Sequence, residues 1–351
     1  MRALTYAAFG APLVVSEVPD AVAPPGGAVV RVVASGLCRS DWHGWMGHDA
    51  DITSFPHVPG HELAGVVDSV GEGVDAGWLG RRVTSPFVMA CGACEVCRAG
   101  NGQVCPHQRQ PGFTDPGSFA ELVVVHAAQS NLVPLPDGLD ERRAAGLGCR
   151  VATAYRAVVS RSGVAPGESV VVIGAGGVGL AAVAVARSRG ARVCAVDVSA
   201  ASLDKALANG ADEVVDASIG GDRVVAAVTE WSEGGAHVSI DALGSPQACR
   251  TGILSLRRRG RHVQVGLLPP EAGRADLPMD RVIGWELDVL GSHGMAAADY
   301  SALLDDVVSR RFDLAELLAP QEPLGLVEAG AALEALGTTA SRGILLVDPT
   351  R

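Results

Sequence analysis

The sequence predicts an α/β protein that combines a doubly wound parallel sheet with a mainly β region. After residue 169, apolar β-branched segments alternate with helical patterns, whereas the earlier residues form short β segments interrupted by glycine and proline. The length of 351 residues indicates roughly two domains. We expect a mainly β domain over residues 1–150, a parallel-sheet domain over 151–292, and a return of the chain to the first domain over 293–351.

The predicted elements follow from local hydrophobic patterns. In the first region, apolar runs at 26–33 and 63–67 are typical of strands. In the second region, the candidate strands are 170–173, 192–196, 213–215, 238–240, 262–265 and 287–290. Helical patterns separate them at 180–189, 202–208, 223–231 and 246–256. Six strands with intervening helices are the pattern of a Rossmann-type sheet.

Charge and composition narrow the range of partners. The formal charge of −11 argues against nucleic acid or an anionic membrane surface as a partner. The longest uncharged run, 170–186, is just short of a membrane span and contains four glycines, so strand, turn and helix fit it better. The first fifteen residues show no secretion pattern, and we expect a cytoplasmic protein whose eight cysteines do not form disulfides.

Four cysteines lie close together in the first region, at Cys91, Cys94, Cys97 and Cys105. Four sulfur ligands with no open position are typical of a structural zinc site. An iron–sulfur cluster is the main alternative, because C-x2-C-x2-C also begins bacterial ferredoxin motifs. The seven-residue gap before Cys105 and the absence of a second set favour zinc, and the acidic charge disfavours a nucleic-acid-binding zinc ribbon.

A glycine-rich turn follows the first strand of the second region. The G-x-G-x-x-G pattern comprises Gly174, Gly176, Gly177, Val178 and Gly179, where a helix would begin and offer free N–H groups to a pyrophosphate. Asp197 ends the next strand, where the ribose-binding acid of such folds is expected. Residues 198–203 contain no arginine or lysine to balance a 2′-phosphate, so the pattern favours NAD over NADP.

Three further motifs, at 36–43, 59–62 and 148–155, are ambiguous individually. Two precede the cysteine loop, and the third lies between that loop and the glycine-rich turn. In this order the chain resembles, over essentially its whole length, the zinc-containing medium-chain alcohol dehydrogenases. The resemblance implies a GroES-like catalytic domain over 1–150, an NAD-binding Rossmann domain over 151–292, and two zinc ions. It also implies reversible, NAD-linked oxidation of an alcohol to an aldehyde or ketone.

The resemblance also implies a role for each matching residue. Cys38, His61 and Cys149 would bind the catalytic zinc and leave one position open. Glu62 would lie close to the metal and replace water in some states, and Asp41 would orient His61.

Further matching positions concern the proton path and the coenzyme. Ser40 and His43 would form a relay that carries the alcohol proton to solvent, the alternatives being an inert hydroxyl and a surface histidine. The coenzyme would be contacted by Arg39, Thr153, Gly266, Leu267 and Arg342. Ser202 replaces a lysine that some relatives place near the adenosine ribose, with Lys205 one turn further on, so NAD release is expected to be faster.

Phe87 and Trp42 are the candidate substrate-pocket residues, with Trp45 and His293 nearby, although core packing is an equal alternative for the tryptophans. An aromatic-walled pocket would suit medium or aromatic alcohols. A polyol, sugar or amino-acid-derived alcohol is the first alternative, and a non-catalytic homologue is the second. Cys194 lies in a predicted strand and Cys249 in a predicted helix, and both are expected to be structural. The family forms dimers or tetramers, and residues 277–289 are the expected interface.

Overall fold

The structure is a computed structural model that describes residues 1–268, 276–313, 317–318, 321–337 and 343–351. It contains two compact units, each with its own sheet. The first comprises Met1–Ala152, Gly294–Arg310 and Leu318–Arg351, and the second comprises Thr153–His293 and Arg311–Leu317.

The first unit is mainly β. Its strands are β1 (Arg2–Thr5), β2 (Val14–Glu17), β3 (Ala28–Leu37), β4 (Glu62–Val70), β5 (Arg82–Ser85), β6 (Leu122–Val125), β7 (Val133–Pro134) and β14 (Leu345–Val347). Within the described residues, β14, β3, β4, β5 and β7 form an antiparallel sheet in that order, with β6 also on β3, while β1 and β2 pair separately. Valine-rich β3 alternates its side chains into a core that Val30 and Val32 share with Leu63, Val83 and Val123.

Short helices complete this unit: α1 (Arg39–Trp45), α2 (Glu95–Arg98), α3 (Ala128–Asn131), α4 (Glu141–Ala145), α11 (Tyr300–Val308) and α12 (Leu326–Ala335). The β3–β4 register pairs Gly36 with Glu62, so the residues after β3 and before β4 meet at one edge of the sheet. A π-helical segment, Leu147–Val151, follows α4 and reaches the same edge, where Gly148 packs against the backbone of Glu62. This convergence positions the site described below.

The second unit holds a parallel sheet of β8 (Ser169–Ile173), β9 (Arg192–Asp197), β10 (Glu213–Asp216), β11 (Ala236–Asp241), β12 (Leu256–Gln264) and β13 (Asp288–Gly291). Across its described residues the order is β10-β9-β8-β11-β12-β13, which confirms the predicted doubly wound arrangement. The helices are α5 (Ala152–Tyr155), α6 (Gly177–Ser188), α7 (Ala200–Ala208), α8 (Gly221–Trp231), α9 (Pro246–Leu254) and α10 (Met279–Trp285).

The element boundaries differ from prediction chiefly around β12. The helix expected to reach residue 256 ends at Leu254, and the strand expected from 262 begins at Leu256. Leu256 pairs with Ala236, and the register then shifts to Arg261 opposite Val238, so the arginine-rich residues 257–260 form an irregularity of the strand that the sequence pattern did not reveal.

No helix in the described ranges combines the length and the apolar composition that crossing a bilayer requires.

Candidate active site

The cysteine loop of the first unit brings four sulfur atoms together. One ligand atom each from Cys91, Cys94, Cys97 and Cys105 lies within 4.8 Å of all the others. The recorded Sγ–Sγ distances are 3.4 Å from Cys94 to Cys97, 3.8 Å from Cys94 to Cys105 and 3.9 Å from Cys91 to Cys97. Zinc–sulfur bonds of about 2.3 Å would hold tetrahedral sulfurs about 3.8 Å apart. The spacing therefore fits zinc.

The electrostatics of these thiols also favour a bound cation. Hydrogen bonds from the backbone of Ala93 and Cys94 lower the pKa of Cys91 to about 6, whereas burial raises the pKa of Cys97 to about 12. Adjacent thiolates repel each other, so the thiols resist ionising together unless a positive charge lies among them.

A second cluster forms where the three segments converge at the sheet edge. Ligand atoms of Cys38, His61, Glu62 and Cys149 all lie within 4.8 Å of one another. Cys38 follows β3, His61 and Glu62 lie at the start of β4, and Cys149 lies in the π-helical segment. The fold thus brings together the predicted ligands, which are separated by more than a hundred residues.

Asp41 orients the histidine of this cluster. Its Oδ1 is 2.8 Å from Nδ1 of His61 and accepts from Gly60 N–H at 3.1 Å, while its Oδ2 accepts from Cys38 N–H at 2.9 Å. Nδ1 of His61 therefore carries a proton, and in the neutral ring that binds a metal Nε2 carries the lone pair. Burial lowers the pKa of His61, but the Asp41 carboxylate more than offsets this and raises it.

The surroundings of the Nε2 atom of His61 test whether a metal fits this site. It is buried, and it makes no hydrogen bond to any residue within the described ranges. A buried ring nitrogen without a partner is costly. Two cysteine sulfurs beside it complete a donor set that suits zinc and leaves one tetrahedral position open.

Glu62 has a partner that the sequence analysis missed. Its carboxylate is fully buried and accepts from the Arg150 side chain at 3.1 Å (Nε to Oε1) and 2.5 Å (Nη2 to Oε2), and from Arg150 N–H at 3.1 Å. Burial tends to lower the pKa of Arg150, but the Glu62 carboxylate outweighs this and raises it. Both oxygens of Glu62 thus face a guanidinium, although one remains within 4.8 Å of the other ligand atoms.

Helix α1 carries the predicted relay. The Ser40 hydroxyl lies 3.8 Å from Sγ of Cys38, and Nδ1 of His43 lies 3.0 Å from Nδ1 of His48 on the exposed side of the helix. The Trp42 ring contacts both histidines, at centroid distances of 5.0 and 5.7 Å. His48 was not predicted, because nothing in its sequence position marks it as a neighbour of His43.

Aromatic rings flank His61, the histidine of the predicted ligand set. The ring centroid of His61 is 6.1 Å from that of Phe87, a predicted pocket residue, and 5.3 Å from that of Phe113, which was not predicted. Trp45 instead donates its indole N–H to Ala11 O at 2.8 Å. His293 and Thr153 belong to the second unit.

The glycine-rich turn of the second unit has the predicted form. Gly176 caps α6, whose first residues are Gly177 and Val178, and a Cβ on Gly179 would overlap the carbonyl oxygen of Gly174. Asp197 ends β9 and accepts from Ala175 N–H at 2.7 Å and Ser199 N–H at 2.9 Å.

The remaining predicted coenzyme residues are dispersed. Gly266 and Leu267 follow β12, and Leu267 is 74% exposed. Arg39 lies over the Trp42 ring, with 5.5 Å from its Cζ to the ring centroid. Ser202 N–H donates to Ser199 Oγ at the start of α7. Arg342 lies outside the described residues.

Comparison with known proteins gives consistent matches over both units. A family model described as an alcohol dehydrogenase GroES-like domain matches residues 24–137, and one described as a zinc-binding dehydrogenase matches 177–309. An alcohol dehydrogenase of Geobacillus stearothermophilus is 36% identical over 77% of this chain and 79% of its own length. A sorbitol dehydrogenase of Halalkalibacterium halodurans is 33% identical over 83% of each chain. The solved structure of an NAD-dependent alcohol dehydrogenase superposes with a TM-score of 0.85 at 30% identity and covers 99% of each chain.

Proposed function

Because this chain belongs to the zinc-containing medium-chain alcohol dehydrogenase family and is an NAD-dependent oxidoreductase with zinc as a cofactor, we propose that Cys38, His61 and Cys149 form its reaction centre. The partnerless, buried Nε2 of His61 beside two cysteine sulfurs is the observation that carries this assignment. Zinc bound there would act as a Lewis acid on the alcohol or carbonyl oxygen of the substrate. The first unit then serves as the catalytic domain and the second as the coenzyme domain, with the predicted divisions 1–150, 151–292 and 293–351.

The chain's own residues would orient the site and move the proton. Asp41 holds His61 so that Nε2 faces the two sulfurs. The Ser40 hydroxyl accepts the substrate proton as it gives up its own proton, which leaves for solvent by way of His43, with His48 as a hydrogen-bonded neighbour on the exposed surface. Arg150 holds Glu62, so the carboxylate joins the metal only when this ion pair opens.

The coenzyme residues retain their predicted roles as part of this proposal. The α6 N-terminus and the glycines at 174, 176, 177 and 179 receive the pyrophosphate, and Asp197 receives the adenosine ribose. Thr153, Gly266 and Leu267 contact the nicotinamide end of the coenzyme. Arg39 and Arg342 contact its phosphates. The carboxylate of Asp197 favours NAD because it would repel a 2′-phosphate.

The substrate proposal follows from the rings beside His61. Phe87 and Phe113 offer apolar surface next to the ligand set, which suits a medium-chain or aromatic alcohol and its carbonyl counterpart. The similarity to a sorbitol dehydrogenase supports a polyol as the second candidate. Cys149 in place of a carboxylate ligand favours the alcohol.

The cellular setting and assembly belong to the same proposal. All eight cysteines are free thiols, which suits a reducing compartment such as the cytoplasm. Exposed Leu277, Met279, Ile283 and Val289 lie on and beside α10 and edge strand β13, where a second copy would bury them in a homo-oligomer.

Absorbance at the NADH band tests the reaction over a panel of aliphatic, aromatic and polyol substrates with NAD or NADP. We expect turnover with NAD, a preference for apolar alcohols, loss of activity on chelation, and recovery when zinc is restored. Turnover that survives complete zinc removal, with the metal content verified, would contradict the assignment. Faster turnover of polyols than of apolar alcohols would favour the second candidate.

A further inference from the structure

A buried polar chain crosses one face of the sheet in the second unit. Ser239 and Asp241 lie on β11, and His262 and Gln264 lie on the parallel neighbour β12. The register pairs Ser239 with His262 and Asp241 with Gln264, so alternation along both strands places the four side chains on the same face. Ser239, Asp241 and His262 are all 0% exposed.

The direction of every hydrogen bond in this chain can be assigned. The side-chain Nε2 of Gln264 lies 2.9 Å from Oδ2 of Asp241 and 2.8 Å from the carbonyl oxygen of Gly266, and both of these atoms only accept. The Oε1 of Gln264 therefore faces Nε2 of His262, at 3.3 Å, and the imidazole donates. Nδ1 of His262 then accepts from the Ser239 hydroxyl at 2.8 Å. Burial lowers the pKa of His262, in keeping with this neutral ring.

The chain ends at two loops on the carboxyl edge of the sheet. Oδ1 of Asp241 accepts from the N–H groups of Leu243 and Gly244, both at 2.9 Å. A Cβ on Gly266 would overlap the backbone nitrogen of Gly244, so the loops after β11 and β12 touch each other. Leu243 and Leu267 at their tips are 61% and 74% exposed. In doubly wound folds this edge is where ligands bind.

The fold itself does not require polar side chains at these positions. Val171 and Ile173 on the neighbouring strand β8 pair with Ser239 and Asp241 and so lie on the same face, and both are buried and apolar, as expected of a parallel sheet covered on both faces. A buried polar network costs free energy unless every member is hydrogen-bonded, and here each member is. Its connection to two exposed loops points to a role in holding them.

We propose that Gln264, supported by His262 and Asp241, is a positioning residue for the nicotinamide end of the coenzyme. It sets the loop of Gly266 and Leu267 through the Gly266 carbonyl, and Asp241 sets the loop of Leu243 and Gly244. The inference rests on the proposed coenzyme site. It goes further, because it predicts that residues behind the sheet edge affect binding of the nicotinamide half of the dinucleotide and do not affect binding of the adenosine half.

Binding of two ligands to the zinc-loaded full chain separates this role from a structural one. NADH carries the nicotinamide, and ADP-ribose lacks it. In Gln264→Met we expect the Kd for NADH to rise about tenfold, the size that the loss of about one hydrogen bond produces, while the Kd for ADP-ribose stays within about twofold. Gln264→Glu keeps the acceptor for His262 but places a second carboxylate against Asp241. We therefore expect a larger rise in the Kd for NADH and no matching rise for ADP-ribose.

Two further variants keep the test decisive. Ser239→Ala removes only the far end of the chain and should raise the NADH Kd about threefold, so it decides the outcome if Gln264→Met does not fold. Ser232→Ala removes another buried hydroxyl, which donates to Val228 O, and should change the Kd for neither NADH nor ADP-ribose. Equal weakening of NADH and ADP-ribose, or no change for NADH, would overturn the positioning role. Failure of the wild-type chain to bind either ligand would instead overturn the proposed function on which it rests.

Discussion

Replacing Arg150 with methionine should strongly destabilise the first unit, because it leaves the Glu62 carboxylate buried without its counter-ion. The carboxylate is 0% exposed and the arginine side chain 7% exposed, and three hydrogen bonds join them. Removing one member of a buried pair costs about 3–5 kcal/mol. The matched control is Arg142→Met, since Arg142 pairs with Glu322 at 3.3 Å while 51% exposed and should contribute less than about 1 kcal/mol.

The double variant Glu62→Gln/Arg150→Met isolates the charge. A buried neutral amide with too few partners costs about 1–3 kcal/mol, so the double variant should be more stable than Arg150→Met alone. Urea unfolding followed by tryptophan fluorescence, with Trp231 and Trp285 of the second unit replaced by phenylalanine in every variant, measures both free energies. Zinc is held in fixed excess, because a metal that binds only the native state adds stability by mass action. The reasoning fails if Arg150→Met lowers the free energy of unfolding no more than Arg142→Met does. It also fails if the double variant is no more stable than Arg150→Met.

Four other predictions concern the metals, the coenzyme and pH. Cys97→Ser should halve the zinc content measured by atomic absorption and lower the Tm, and an unchanged content would refute the structural site. Asp197→Gly should weaken NAD use and relax the preference over NADP, as a ratio of kcat/KM values would show. His43→Gln should change the pH profile of hydride transfer, so an unaltered profile would count against the relay. Burial tends to raise the pKa of Asp115, but hydrogen bonds from a histidine, an arginine and a threonine lower it. Asp115→Asn should therefore lose stability at neutral pH, with the difference from wild type shrinking below about pH 4, and a constant difference in urea titrations would refute this.

The elements that sequence could predict are those whose cause is local. The β8 strand, the glycine-rich turn and α6 are contiguous, and one apolar run followed by glycines defines them. The start of β12 escaped prediction because three arginines at 257–259 are typical of an exposed loop. Leu256 pairs with Ala236, and the register then moves directly to Arg261 opposite Val238, so the three arginines lie in an irregularity between two paired residues of the strand. A local pattern does not report such an irregularity, because it arises only when the neighbouring strand is in place.

The candidate site shows the same limit. The proposed ligands Cys38, His61 and Cys149 could be identified from sequence only because a family resemblance joined segments far apart in the chain. Arg150 stands beside one of these ligands, yet its partner Glu62 lies 88 residues away. His48 and Phe113 likewise reach the site through loop conformation, and no spacing rule marks them.

Two glycines illustrate why local and distant contacts differ in predictability. Gly179 is required because a Cβ there would overlap the carbonyl oxygen of Gly174, five residues earlier, and a motif can encode so short a separation. Gly36 is required for the same steric reason, since its Cβ would overlap Oε2 of Glu62, but that residue lies on the next strand. Gly36 opens the 36–43 motif, but the motif does not show which side chain needs the space beside this glycine. This steric constraint on Gly36 arises only after β3 and β4 have paired. The Glu62 carboxylate, held by Arg150, then occupies the space that a Cβ on Gly36 would need.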